Sequence, residues 1–280
     1  MSDDPRATGP RAVDRGLARL IESSLIVDRG AALFDRLRSR LVCSLASDRV
    51  LEAYNALAFG SSPAYQPGHR AFRAEWFPWE RRAVDTYFPP VPTRVLVGGA
   101  GGGREAFQLA ERGYEVIAFD PVQTLVDAMP GAGTGPGHVT ACGGSYELLP
   151  MLRSRGGQPV SLTDLQPFGA GICGWASIAH VRTDAGRVAA LRHMGALVDG
   201  PILISVYVTP WQRSAKEGLA GGLSRWLYGD GAMFLPGIGR VQTFDEGGLR
   251  DLIARAGLEV LYLDASPAID NWPHAVVKRR

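Results

Sequence analysis

Apolar residues recur at helical spacing twice near the start of the chain. Val13, Leu17, Leu20, Ile21 and Leu25 share one helical face, as do Leu33, Phe34, Leu37, Leu41 and Leu45. A third helix is predicted from Ser47 or Asp48 to Phe59, stopped by Gly60. Ser61 to Arg73 loses the period among Ser, Pro and Gly and reads as a loop. The next helix opens on Pro78, whose fixed φ suits a first helical position, and runs to Tyr87 ahead of Pro89, Pro90 and Pro92. From Arg94 onward the pattern becomes short continuous apolar runs, which suit strands buried on both faces of a parallel sheet. These runs are Arg94 to Val97, Tyr114 to Asp120, Val139 to Cys142, Phe168 to Gly174, Pro201 to Val208, Leu258 to Leu263 and Ala275 to Lys278. Helical stretches separate most of them. Arg104 to Arg112 ends at Gly113 as a left-handed cap, Val122 to Met129 follows, and another helix starts near Thr183 and Asp184. A last helical face carries Phe244, Leu249, Leu252, Ile253 and Ala256, capped by Thr243 or Asp245 and ended by Gly257. Pro130 to Gly137 is too rich in glycine and proline for regular structure, and Gly137→Ala is expected to be tolerated there. The alternation predicts one α/β domain. Residues 1–10 are expected to form a disordered tail, 11–92 a helical segment packed on the core, and 93–280 the core. Within that core, 209–241 are an insertion.

Composition narrows the function classes. The chain has 280 residues and a mass of 30.0 kDa, a length that suits one domain with extra helices. Its net charge of +2 is too small to argue for a nucleic acid or a membrane surface. The positive charge is nearly all arginine, with Lys216 and Lys278 the only lysines. Cys43, Cys142 and Cys173 are an odd, widely spaced set without metal-ligand spacing, as expected of free thiols in a reducing compartment. No apolar run approaches membrane-spanning length, and the polar N-terminus has no signal-peptide core, so a cytoplasmic protein is expected. The sequence contains no H-E-x-x-H, C-x-x-C, G-x-S-x-G or G-x-x-x-x-G-K-[ST] motif.

The chemistry concentrates in Gly98-Gly-Ala-Gly-Gly-Gly103 and in Asp120, at the ends of the first two core strands. Almost without side chains, the glycine run lets the backbone turn sharply and lets a ligand lie against it. A carboxylate ending the second strand of a βαβ unit accepts hydrogen bonds from both ribose hydroxyls. Dinucleotides and S-adenosylmethionine are the two ligand classes that use this unit. The dinucleotide pattern fits Gly101, Gly103 and Ala106 only in its weaker variant, whereas Gly99-x-Gly101-x-Gly103 fits better the first motif of class I S-adenosylmethionine-dependent methyltransferases. The chain resembles that family over most of Arg94 to Arg280.

The resemblance implies a seven-stranded, mostly parallel Rossmann-like sheet with helices on both faces and a closing strand pair whose seventh strand is antiparallel. It implies S-adenosyl-L-methionine as cofactor, held by Gly99, Ala100, Gly101, Gly103 and Arg104 at the turn and by Asp120 and Pro121 at the ribose. Ser145, where the family often has Asp, and Tyr146 stand at the adenine. The fourth strand end borders the methyl-transfer zone: the Cys173 and Gly174 carbonyls accept from the methionyl amine, and Trp175 covers the sulfonium or the adenine. Val97 departs from the pattern, because many members place there an acid that helps hold the methionyl end. His180 is either a general base for an acceptor hydroxyl or amine, or a cap for the helix beginning near Thr183. Tyr65, His69 and Trp76 are candidate walls of the acceptor pocket; the bland reading has Trp76 and Trp79 packing the helices onto the sheet, and Trp79 is assigned to it. The insertion, rich in Trp, Tyr, Phe and Gly, reads as a lid over a small-molecule acceptor, with no nucleic acid and no membrane as partner. The expected activity is methyl transfer to oxygen or nitrogen of that small molecule, possible in secondary metabolism. The rival readings are a nicotinamide-dependent oxidoreductase on the same βαβ unit and a non-catalytic cofactor-binding regulator.

Overall fold

The computed structural model describes residues 31, 33–129, 136–208, 231–266 and 272–280. The expected tail, the helix of residues 13–25 and residues 209–230 of the insertion lie outside them. The core is a nine-stranded sheet in the order β11-β12-β7-β6-β1-β2-β3-β4-β5. Its centre is β1 (Arg94–Gly98), β2 (Glu115–Asp120), β3 (His138–Gly143), β6 (Ala170–Cys173) and β7 (Ile202–Ser205), all parallel. β12 (His274–Arg279) lies between β7 and β11 (Leu258–Asp264) and is antiparallel to both.

Nine strands replace the expected seven because a hairpin, β4 (Met151–Ser154) and β5 (Pro159–Ser161), extends the sheet beyond β3. Runs of four and three residues are too short to show a strand period. The predicted strand Pro201 to Val208 also divides. Its first part stays in the main sheet, and β8 (Tyr207–Val208) joins β9 (Ala232–Leu235) and β10 (Gly239–Phe244) in a separate three-stranded sheet. The end of the insertion is therefore a β-ribbon, and Phe244 belongs to it rather than to the following helix.

Helices cover both faces, and strand alternation decides which residue meets which helix. Leu96, Ile117 and Phe119 point to one side, with α6 (Asp184–Leu197) and α7 (Glu246–Arg255). Val95, Val97, Val116 and Ala118 point to the other, with α3 (Pro78–Tyr87) and α4 (Arg104–Glu111). Burying one such Val, Leu or Phe side chain is worth about 1.5–3 kcal/mol, so the alternation fixes register firmly. α5 (Gln123–Ala128) follows β2 and places Val126 in the second of these clusters. Helix starts are where capping predicts: the side chains of Thr183 and Asp245 accept from the N–H groups of Gly186 and Gly248.

Two expectations about packing change. In α1, residues 33–45, the apolar face carries Leu33, Phe34, Leu37, Leu41 and Leu45, which are exposed among the described residues rather than buried in the core. α2 (Asp48–Gly60) follows it, with Ser47 as its N-cap. Gly137 is not a tolerant loop position: its N–H donates to Ala110 O, and a Cβ there would overlap the Tyr114 carbonyl oxygen. Trp76 and Trp79 are both buried in the core, as the packing reading holds; Arg112 lies 5.6 Å over the Trp76 ring, and Trp79 lies 4.8 Å from His274. Among the described residues, no helix is long and apolar enough to cross a membrane.

Candidate functional site

The strand order β6-β1-β2-β3 brings four strand C-termini to one edge, where an open parallel sheet receives ligands. The glycine turn leaves β1 at the middle of that edge. Gly99, Gly101 and Gly103 have φ of 63°, 55° and 91°, a left-handed region that side chains with a Cβ seldom adopt. The turn is pinned by Ala100 N–H to Phe119 O (3.0 Å), Gly103 N–H to Ala100 O (2.8 Å) and Gly174 N–H to Gly98 O (2.7 Å). Both sides of it are crowded. Beneath, a Cβ on Gly98 would come 2.8 Å from the Tyr146 hydroxyl, and one on Gly99 would overlap Ser177. The Tyr146 and Ser177 hydroxyls are 2.7 Å apart. Outside, Tyr65 lies on Gly101, and its carbonyl oxygen occupies the place of a Gly102 Cβ.

Asp120 sits at the end of β2 with both carboxylate oxygens engaged by main chain. Oδ2 accepts from Gly101 N–H at 2.8 Å and Oδ1 from Val122 N–H at 2.9 Å. Burial pushes its carboxyl up to about 6, against the pull of these two hydrogen bonds. Pro121 is exposed beside it, and Ser145 is half-buried without a capping bond from its side chain. Tyr146 is placed as a support under the turn, edge-on to Phe119 at 5.3 Å, and burial holds its hydroxyl well above the usual range.

Arg104, expected at the cofactor, is committed to protein partners. Its guanidinium donates to both carboxylate oxygens of Glu80 on α3, at 2.5 and 2.6 Å, and to Glu105 Oε1 at 2.7 Å. Although burial pulls its pKa down, Glu105 and Glu80 hold it above the ordinary arginine value. Burial in turn raises the Glu80 carboxyl. Sequence reasoning missed Glu80 and Glu105. Their only local signal was a carboxylate in the first turn of α3 and of α4, which a helix dipole already accounts for.

At the end of β6, Cys173 is buried and its thiol is pushed up to about 12 by burial, so it is inert. Trp175 N–H donates to Glu105 Oε1 at 3.4 Å, and Ala176 N–H donates to Ser205 Oγ at 2.8 Å. The Trp175 ring is 41% exposed, 5.3 Å from Phe77 and 5.6 Å from Trp272, with Tyr207 5.4 Å beyond Trp272. His180 ends a 3₁₀ turn, Ser177–His180, and meets the Phe59 ring edge-on at 5.4 Å. Its Nδ1 has no hydrogen-bond partner among the described residues. Burial pulls its pKa down to about 4, opposed by a hydrogen bond to the Arg240 main chain. It is Thr183, not His180, that caps α6. His69 lies in an exposed turn, its Nδ1 accepting from Ala71 N–H. The structure thus gathers the glycine turn, Asp120, Tyr65, Arg104 and Trp175 at one place.

No protein-family model matches the chain. Over 78 residues it is 36% identical to proteins named uncharacterized methyltransferases from Mycobacterium bovis and Mycobacterium tuberculosis. The match spans 28% of this chain and 29% of the length of those relatives. Among solved structures, a SAM-dependent methyltransferase from Methanosarcina mazei aligns with a TM-score of 0.48 at 14% identity, over 72% of this chain and 96% of that one. Over that stretch of 78 residues alone the chain is similar to proteins named methyltransferases, and the glycine turn between β1 and α4, the carboxylate ending β2 and the antiparallel β12 set between β7 and β11 are the features that the sequence resemblance implies.

Proposed function

We propose that the protein is an S-adenosylmethionine-dependent methyltransferase that methylates an oxygen or nitrogen atom of a small molecule. The observation that carries this reading is Asp120, a buried carboxylate fastened to the lip of the glycine turn by Gly101 N–H. The residues present fit the family's cofactor. A carboxylate accepts from a ribose diol, a turn without side chains lets the ligand approach the backbone, and the half-exposed Trp175 ring offers a π-face to a cation. When bound, the cofactor supplies a methyl carbon already activated by its positive sulfur. The protein's part is then to align an acceptor in line with that carbon and to keep water out.

We place the acceptor against Trp175, Trp272 and Tyr207, a wall of rings whose apolar faces suit a small organic molecule. Residues 209–230, which the sequence reads as most of a lid, follow Val208 in the chain and lie outside the described residues. A pKa near 4 makes His180 neutral but weakly basic at pH 7, which weighs against the base role and for a structural one. Positioning, not proton abstraction, is the main contribution we assign to this site.

The test is calorimetry on the full chain with S-adenosylhomocysteine and, separately, NADH. Binding of the first and not the second is expected. NADH binding without S-adenosylhomocysteine binding overturns the reading in favour of an oxidoreductase. A transferred methyl, followed by mass spectrometry against a panel of phenols, alcohols and amines, separates an enzyme from a cofactor-binding regulator.

A further inference from the structure

Glu80, Arg104, Glu105 and Asp120 are 2%, 8%, 4% and 6% exposed, and they adjoin one another around the glycine turn. Three carboxylates against one guanidinium leave two negative charges when all are ionised. An uncompensated charge in a buried place is expensive, so the cluster favours a ligand that brings positive charge. The three carboxylates are not equally available to it. Glu80 gives both oxygens to Arg104, and its Oε2 also takes the N–H of Phe77. Asp120 is turned to Gly101 and Val122 on the β2 side of the turn. Glu105 is different, because its bonds from Arg104 and from Trp175 N–H both go to Oε1. That leaves Oε2 for a ligand.

The strand order then says which part of the ligand arrives there. With the ribose on Asp120 at the end of β2, the substituent on its 5′ carbon must cross the turn after β1 to reach the end of β6. Trp175, whose N–H holds Glu105, follows that end directly. The amino-acid end of S-adenosylmethionine carries an ammonium group. At the end of β1, Val97 is a buried core residue and offers it nothing.

We infer that Glu105 binds the ammonium of the cofactor's amino-acid end, supplying from the first turn of α4 the acid that position 97 lacks. The inference rests on the cofactor reading above and adds a specificity: the site rejects nucleosides whose 5′ chain has no amine. Arg104 is the positioning residue, since its bond to Oε1 holds the Glu105 carboxylate in place and leaves Oε2 without a bond among the described residues.

The experiment is a two-by-two comparison by calorimetry at pH 8, with wild type and Glu105→Gln against S-adenosylhomocysteine and its deamino analogue. Gln keeps an oxygen for Arg104 and for Trp175 N–H while removing the charge. Wild type is expected to prefer the amine-bearing ligand, and the variant to lose roughly tenfold to a hundredfold of that preference with little change toward the deamino analogue. Circular dichroism checks the fold; if Glu105→Gln does not fold, Glu105→Asp, which keeps the charge but shortens its reach, is expected to show the same selective loss. Equal weakening toward both ligands makes Glu105 a prop for the turn and overturns the inference, as does an unchanged preference. Failure of wild type to bind S-adenosylhomocysteine at all sinks the cofactor reading and this inference with it, an outcome readily told apart from the others.

Discussion

Asp120 is held by the same two main-chain N–H groups that keep it partly charged, and its proton has opposite consequences for fold and ligand. In the folded chain the carboxyl is raised from 3.8 to about 6, so the folded state binds this proton more tightly than the unfolded one. Its contribution to stability is therefore complete below about pH 4 and is lost as pH rises through about 6. Ribose binding runs the other way, because only the carboxylate accepts from both hydroxyls. Affinity for S-adenosylhomocysteine is expected to be flat above pH 7 and to fall toward about tenfold per pH unit below 6. In Asp120→Asn that step should vanish, with affinity at pH 8 lowered roughly tenfold to a hundredfold. Calorimetry from pH 5 to 8 measures both, and a wild-type affinity that ignores pH would remove Asp120 from the ribose.

The turn between β1 and α4 works as a unit because three of its glycines are left-handed and its outer surface lies against Tyr65. Gly101→Val combines a φ of 55° with a side chain starting 3.2 Å from the Tyr65 ring, so it should abolish cofactor binding. Gly156→Ala is the fair control, since a Cβ there meets only Ser154 Oγ at 3.9 Å. If both variants bind S-adenosylhomocysteine like wild type, the turn is not the binding loop. Elements with local punctuation were legible in the sequence: Pro78 opening α3, the glycines before α4, and Gly113 behind it. Features decided by distant partners were not. The departure of Tyr207 and Val208 from the main sheet and the membership of Phe244 in β10 depend on pairing across the chain, whereas the local β4–β5 hairpin escapes because its runs are too short to show a period. The same division runs through the candidate site. Asp120 and the glycines announced themselves within one βαβ unit. Glu80 did not, because its partner Arg104 lies 24 residues further on and on a different helix.

At the scale of the molecule, the pair Glu80–Arg104 ties α3 to the first turn of α4 and so to the cofactor edge of the sheet. Both side chains are buried, and removing Glu80 takes two carboxylate contacts from the Arg104 guanidinium and leaves it Glu105. Glu80→Ala is expected to cost about 1.5–3 kcal/mol in urea denaturation, since Arg104 keeps Glu105, whereas Asp85→Ala, which breaks the exposed pair with Arg112, should cost under about 1 kcal/mol. Equal losses would mean the buried pair does not hold these elements together. The position of β12 has a consequence of another kind. It follows every other described strand in sequence yet lies inside the sheet, with β7 on one side and β11 on the other. During synthesis β7 and β11 leave the ribosome before the strand that will separate them exists. The β1–β2–β3 half, which carries the proposed nucleoside site, can pair and fill its faces first. The half beside the proposed acceptor wall keeps two open edges until residues 274–279 arrive, so on the proposed reading the newborn chain completes its nucleoside edge before its acceptor side.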